Sequence, residues 1–160
     1  MTIDDLPRGV CHGVVFHWSA GRYTPYFPHY HVCVLGPPHD GAVLLTHPFQ
    51  NNLRQIRAGD IYAAHTKGRN SYRLAVSAMA MYGATMNDSG QFPVTPKQIE
   101  TLCAVAGLMV VKYTLDISAV RTHYEWAIED GYYPNRWDFM RLSETLRGKT
   151  KFYADQLAST

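Results

Sequence analysis

The sequence predicts a single α/β domain in which helices flank a central mixed β-sheet. In the first half, short runs rich in β-branched and aromatic residues end at Gly or Pro, which is typical of strands. The second half contains a long segment whose apolar residues repeat with the period of a helix. A chain of 160 residues can bury one sizeable core, so we expect residues 1–160 to form one domain.

The predicted strands lie in the first half of the chain. They are residues 13–18, 30–36, 41–45, 60–65 and 73–82. The sequence GPPHDG separates the second strand from the third, and this turn predicts that the two pair as a hairpin.

The predicted helices lie in the second half. The clearest covers Pro96–Tyr113: Thr95 is placed to cap it, Pro96 occupies its first position and Gln98 completes a capping box. One face of this helix is apolar and is expected to pack on the sheet. That face consists of Ile99, Leu102, Cys103, Ala106, Met109, Val110 and Tyr113. A last helix is predicted to start near Asp138 and to continue through KFYADQLA.

Composition and charge exclude several classes of partner. Hydrophobic residues make up 46% of the chain and charged residues 18%, a globular composition. The net charge of +2 comes without the stripe of Lys and Arg that nucleic-acid binders carry, so no nucleic acid is expected. No apolar run approaches the roughly 18 residues of a membrane span, and no membrane partner is expected. We expect a monomer, with Cys11, Cys33 and Cys103 as buried free thiols.

Eight histidines in so short a chain suggest a metal site. His17 lies at the end of the first predicted strand, one residue before its last, His123 lies in THYEWA, and Asp138 follows a Gly-Tyr-Tyr-Pro loop. Two imidazoles and one carboxylate leave the fourth position of a tetrahedral Zn²⁺ open for water, as in catalytic zinc sites. The spacing alone leaves simpler alternatives open: a packed His17, a surface His123, and Asp138 as the N-cap of the last helix.

Six segments resemble, in chain order, the zinc-dependent N-acetylmuramoyl-L-alanine amidases of the small phage lysozyme type and the related peptidoglycan recognition proteins. The segments are FHWSAG, YHVCV, AHTKGRN, TPKQIETLCAVAGLMVVKY, THYEWA and RWD. The resemblance implies a Zn²⁺ cofactor bound by His17, His123 and Asp138. It also implies bacterial peptidoglycan as the substrate, cleaved at the amide between the lactyl group of N-acetylmuramic acid and L-alanine.

The resemblance implies two catalytic residues. Tyr30 matches an essential Tyr, and Ala80 stands about where other members carry Glu, so the chain resembles the tyrosine-dependent subgroup. Arg136 stands where the family usually carries Lys, and a cation there can stabilise an oxyanion. Strand alternation turns His31 away from the cleft that Tyr30 faces.

Four further residues are predicted to contact substrate. His65 and Asn70 lie in the segment that resembles the family's His-plus-Asn loop, and His65 is the alternative third ligand if Asp138 does not bind metal. Tyr132 and Tyr133 are predicted to form a cleft wall that stacks on sugar faces, with a packed loop as the alternative. The histidines expected to be exposed to solvent are His12, His29, His39 and His47.

Two other functions stay open. One is a non-catalytic peptidoglycan-binding module that has lost the third ligand, and the other is a zinc peptidase that cuts within the stem peptide. The N-terminus MTIDDLPRGV has two acids where a signal peptide carries positive charge, so we expect synthesis in the cytoplasm. This is typical of a phage endolysin, which would act on the cell wall in the periplasm after release by a holin.

Overall fold

Five strands form one mixed sheet in the computed structural model, which describes residues 1–24 and 27–160. The strands are β1 (Gly13–Trp18), β2 (Val32–Val34), β3 (Val43–Leu45), β4 (Arg73–Ala78) and β5 (Val120–Thr122), in the spatial order β3-β2-β4-β1-β5. Strands β1, β2, β4 and β5 run parallel, and β3 pairs antiparallel with β2 as the predicted hairpin. The helices are α1 (Pro96–Tyr113), α2 (His123–Asp130) and α3 (Ser143–Ala158). The prediction of an α/β fold is therefore confirmed.

Alternation of side chains along β1 separates the main core from the opposite face of the sheet. Val14 and Phe16 belong to the main hydrophobic core, which includes residues of α1, and α1 packs against α3. Val15 and His17 point to the other face because successive side chains of a strand point in opposite directions. His17 is thus buried on the side of the sheet away from this core.

The predicted boundaries of β1 and α1 are confirmed. Oγ1 of Thr95 accepts a hydrogen bond from the Gln98 amide, and Oε1 of Gln98 accepts one from the Thr95 amide, which is the predicted capping box. The other predicted strands are longer than those observed. The segment 73–82, for example, ends as a strand at Ala78, and Met81 adopts a φ of 76°.

The predicted strand at 60–65 is wrong, because this segment is an irregular loop. Side chains take the hydrogen bonds that a neighbouring strand would otherwise make. The amide of Ala63 donates to Oδ1 of Asn52, and the amide of His65 donates to Oδ1 of Asn70.

The prediction that the last helix starts near Asp138 is also wrong, since α3 begins at Ser143 with Leu142 as its N-cap. Phe139 adopts a left-handed φ of 59°, and its buried ring packs against Trp18. An α-helix cannot pass through that conformation. Asp138 is therefore not a helix cap.

Strand β5 and helix α2 are not among the predicted elements. Thr122 ends β5 and caps α2: its side chain accepts from the Glu125 amide, and the Glu125 side chain accepts from the Thr122 amide. The sequence THYE is therefore a capping box, the local signal that marks the start of this helix. The predicted free thiols are confirmed, because Cys11, Cys33 and Cys103 are buried and none of them forms a disulfide. Among the described residues, no helix has the length and apolar character needed to cross a membrane.

Candidate metal centre

The register between β1 and β5 brings His17 and His123 together. Phe16 on β1 is paired with Thr122 on β5. His17 and His123 follow these two residues, so both imidazoles emerge at the carboxyl end of neighbouring parallel strands. Their Nδ1 atoms lie 3.0 Å apart.

Asp138 completes a triangle of ligand atoms. Its Oδ2 lies 3.8 Å from Nδ1 of His17 and 3.8 Å from Nδ1 of His123, and it accepts a hydrogen bond from the Trp18 amide. All three residues are buried, and their ligand atoms lie within 4.8 Å of one another. A tetrahedral zinc ion with bonds of about 2.0–2.2 Å holds its ligand atoms roughly 3.4 Å apart, so one ion fits this triangle.

The electrostatics of this triangle of ligand atoms favour a bound cation. Burial lowers the pKa of His17 well below its ordinary value, and repulsion between protonated imidazoles at His17, His123 and His65 lowers it further. His17 is therefore neutral, the form in which imidazole binds a metal. Within residues 1–24 and 27–160, no Lys or Arg forms an ion pair with the buried Asp138 carboxylate. A metal ion would supply the positive charge that a buried carboxylate needs.

His65 and Thr66 lie behind His17, on the far side of its ring. Nε2 of His17 is 3.2 Å from Nδ1 of His65 and 3.3 Å from Oγ1 of Thr66. When His17 binds metal through Nδ1, its Nε2 carries the proton and donates to one of these two acceptors, which fixes the orientation of the ring. His65 thus contacts a different nitrogen of His17 from the one that faces His123 and Asp138.

Asn70 shapes the loop that carries His65 and Thr66. Its Oδ1 accepts hydrogen bonds from the backbone amides of both residues, at 2.9 Å each. Asn70 also lines a cavity beside the metal centre. Asn70 therefore positions this loop, and its contact with substrate stays a prediction.

His31 and Asn52 anchor the same loop to the sheet. The Ala75 amide donates to Nδ1 of His31, so Nε2 of His31 carries the proton and donates to Oδ1 of Asn52. Asn52 in turn donates to the carbonyl oxygens of Ala63 and Asn70. Burial lowers the pKa of His31 to about 3, although the bond to Asn52 opposes this shift. Neither Asn52 nor Thr66 was identified from the sequence, because no local pattern marks either of them.

Tyr30 and Arg136 lie at the cavity over the metal centre. The Tyr30 ring centroid is 5.1 Å from that of His17. Burial raises the pKa of Tyr30 far above its ordinary value, and the charge of Asp138 raises it further, so the phenol keeps its proton. Arg136 is exposed and donates to the Asn135 carbonyl oxygen. Both residues line a cavity of about 480 Å³ that also includes His123 and Asp138.

The structure separates the two predicted tyrosines. Tyr132 lines the neighbouring cavity, and its ring centroid is 6.0 Å from that of His123. Tyr133 lines neither of these two cavities; its ring packs edge-on against Tyr124, and its hydroxyl lies 3.6 Å from Sδ of Met140. Of these two tyrosines, only Tyr132 is therefore adjacent to the metal centre.

The exposure predicted for the remaining histidines is confirmed in three of the four cases. His12, His29 and His39 are exposed. The prediction is wrong for His47, which is half-buried; its Nδ1 donates to the Pro28 carbonyl oxygen.

The fold is similar to that of the Ph2119 endolysin from Thermus scotoductus MAT2119 bacteriophage Ph2119. The superposition has a TM-score of 0.56 and covers 91% of this chain and 88% of that chain, with 17% sequence identity. No family model matches the sequence, and no curated protein matches it. At this level of identity, the likeness shows that the two proteins share a fold.

Proposed function

We propose that the chain is a zinc-dependent peptidoglycan hydrolase, namely an N-acetylmuramoyl-L-alanine amidase that acts as a phage endolysin. The observation that carries this proposal is the buried triangle formed by Nδ1 of His17, Nδ1 of His123 and Oδ2 of Asp138, which opens into a cavity. The fold shared with a phage endolysin supports the coarser function of peptidoglycan hydrolysis. The six segments that resemble amidases support the finer one.

The residues around the triangle supply complementary chemistry. Zinc, when bound, lowers the pKa of water and polarises a carbonyl group. Tyr30 keeps its proton, so its hydroxyl can donate to the oxyanion or to the leaving nitrogen as the amide breaks. The guanidinium of Arg136 places a positive charge at the same cavity, where it can stabilise the developing negative charge.

The position of Asp138 favours an enzyme over a binding module. A module that has lost its third ligand would leave the two histidines without a nearby carboxylate. Here Oδ2 of Asp138 lies 3.8 Å from each histidine Nδ1. Three protein ligands with a fourth position open to a cavity are typical of catalytic zinc.

Product analysis tests the proposed function. The purified protein should contain about one Zn²⁺, lose activity to a chelator and regain it with added zinc. Digestion of purified peptidoglycan should release intact stem peptides with free amino-terminal L-alanine. Shortened stems would instead indicate a peptidase, and binding without release would indicate a recognition module. Full activity of the metal-free protein would contradict the proposal.

We further propose that the protein acts as a monomer on the wall from the periplasmic side, after a holin opens the inner membrane. Expression in a Gram-negative host should leave cells intact until the inner membrane is permeabilised, and lysis should follow at once. Lysis that does not depend on permeabilisation would contradict this route.

A further inference from the structure

A second cavity, of about 670 Å³, adjoins the metal centre and has a cationic lining. It shares His65, His123 and Arg136 with the cavity over the metal, and Lys67 adds a second permanent positive charge. Among the residues that the structure describes, no Asp or Glu lines it. We call it the Lys67 cavity.

The two cations of the Lys67 cavity are available to a ligand. Within the described ranges 1–24 and 27–160, neither Lys67 nor Arg136 forms an ion pair. The neighbouring Arg69 differs, because Asp130 binds its guanidinium through two hydrogen bonds of 3.0 and 2.9 Å. An ammonium group without a partner at a cavity wall is suited to bind an anion.

A tight turn fixes the backbone on which Lys67 stands. The Arg69 amide donates to the Thr66 carbonyl oxygen, and Gly68 adopts a φ of 72°, which residues with a side chain rarely adopt. The Asn70 side chain holds the first residue of this turn through the Thr66 amide. Lys67 is thus held at a defined position next to the residues that contact His17.

Neutral groups of the Lys67 cavity add hydrogen-bond donors. Oδ1 of Asn70 already accepts two backbone hydrogen bonds, so the group left for a ligand is its Nδ2, a donor. The Tyr132 hydroxyl is buried and has no hydrogen-bond partner in the described part of the chain. Cations and donors together, without an acidic side chain, match the chemistry of a carboxylate.

A third cavity next to the one over the metal has a different lining. Trp18 and Trp137 line both the cavity over the metal and this third cavity of about 300 Å³, which also includes Met86 and Met140. The two indole rings pack edge to face with centroids 4.8 Å apart. Aromatic and thioether surfaces suit apolar faces such as those of sugar rings. The two cavities that adjoin the one over the metal therefore differ in lining: the Lys67 cavity has cations without an acid, and the other has aromatic and thioether groups together with one acid and one base, Asp88 and Arg141.

The amide bond that the proposed amidase cleaves also has two chemically different sides. On one side lies a sugar, and on the other a stem peptide with free carboxylates, such as that of its glutamate residue. We propose that the Lys67 cavity binds a carboxylate of the stem peptide, with Lys67 as the anion-binding residue, and so fixes the direction in which substrate lies across the metal. This inference rests on the proposed function and adds a binding subsite to it.

Binding of a free stem peptide tests this assignment. The probes are the tripeptide L-Ala-γ-D-Glu-meso-diaminopimelate and the same peptide with its carboxylates amidated, titrated calorimetrically into zinc-loaded protein at low salt. Lys67→Met should weaken binding of the acidic peptide about fivefold and leave the amidated peptide unchanged, since only a partly exposed ion pair is lost. Lys67→Arg should retain most of the affinity. The matched control is Lys97→Met, because Lys97 is exposed and lines a groove elsewhere, and it should bind like wild type.

Several outcomes would overturn the assignment of Lys67. They are equal affinity of the wild type for both peptides, unchanged binding by Lys67→Met, no binding by the wild type, and displacement of the peptide by an equal concentration of inorganic phosphate. The peptide is already free of sugar, so the titration does not depend on hydrolysis. Normal selective binding without any cleavage of peptidoglycan would contradict the amidase function alone, and cleavage with unselective binding would contradict the subsite alone.

Discussion

At the scale of single residues, Asp138 decides whether the two histidines form a metal centre or a packed pair. Asp138→Ala should lose zinc and abolish lysis. Asp138→Cys should restore part of both, because thiolate is a good zinc ligand. Asp138→Asn should fail as well, since a neutral amide is a poorer ligand. The measurements are zinc content and lysis of chloroform-permeabilised Gram-negative cells, and normal values for Asp138→Asn would remove Asp138 from the site.

The hydroxyl of Tyr30 is expected to act in turnover and not in folding. Tyr30→Phe keeps the ring beside His17 and removes only the proton donor. Zinc content and melting temperature should stay at wild-type values, whereas turnover should fall about 100-fold, the usual range for a lost acid-base group. Steady-state kinetics on soluble muropeptides measures this fall. An unchanged rate would assign the proton to another group.

Thr66 is expected to orient His17 through its hydroxyl. Thr66→Val keeps the shape of this buried side chain and removes the acceptor 3.3 Å from Nε2 of His17. Zinc affinity should weaken by about 10–100-fold, as is usual when a group that orients a metal ligand is lost. Thr66→Ser should restore the affinity. Competition with a chromogenic chelator measures it, and equal affinities for all three proteins would exclude the orienting role.

At the scale of elements, Arg147 joins α3 to the start of α2. Its Nη1 donates to Oε1 of Glu125, in the capping box of α2, and to the Val120 carbonyl oxygen of β5. Arg147→Ala should lower the free energy of unfolding by about 1.5–3 kcal/mol, because hydrogen bonds to a charged partner are lost. Denaturant unfolding measures this. As a control, Lys151→Ala breaks only an exposed pair with Asp155 and should cost under about 1 kcal/mol.

The contact between Arg147 and Glu125 also predicts that the free energy of unfolding depends on pH. Burial raises the pKa of Glu125, but hydrogen bonds from Arg147 and from the Thr122 amide outweigh burial, so the pKa is lowered from 4.5. A carboxyl group whose pKa is lower in the folded state than in the unfolded chain stabilises the fold at pH values above its ordinary pKa. This stabilisation is lost as the pH falls through the pKa of the folded state. The stability difference between wild type and Arg147→Ala should therefore be full at pH 7 and shrink below about pH 4.5. A difference that stays constant into this acid range would exclude the ion pair as its source.

At the scale of the whole molecule, the metal centre joins three segments that are distant in the chain. His17 comes from β1, His123 from the start of α2, and Asp138 from the turn before α3. Zinc at about 100 times its Kd should stabilise the fold by about 2.7 kcal/mol, because the unfolded chain has no preformed site. Calorimetry with and without a chelator should show a lower Tm for the metal-free protein. Asp138→Ala should show no such shift, and an equal shift in both proteins would place the zinc elsewhere.

The sequence by itself determined the elements whose signals are local. The boundaries of β1 and α1 could be predicted because a buried run ending at His17 and a capping box from Thr95 to Gln98 depend only on nearby residues. The residue types of the candidate site were recognisable for a similar reason. Imidazole and carboxylate are metal ligands in any fold, and THYEWA and RWD carry the resemblance to the amidases.

Only the tertiary structure decided which of these residues meet. His17 and His123 are adjacent because the register of two parallel strands places them side by side, and no local pattern encodes a register. Residues 60–65 form a loop because the side chains of Asn52 and Asn70 accept the hydrogen bonds of the Ala63 and His65 amides. Helix α3 starts later than predicted because the ring of Phe139 is buried in the core. Pairing and burial depend on residues far apart in the chain, so the triangle, the Lys67 cavity and the contact from Thr66 appear only once the chain is folded.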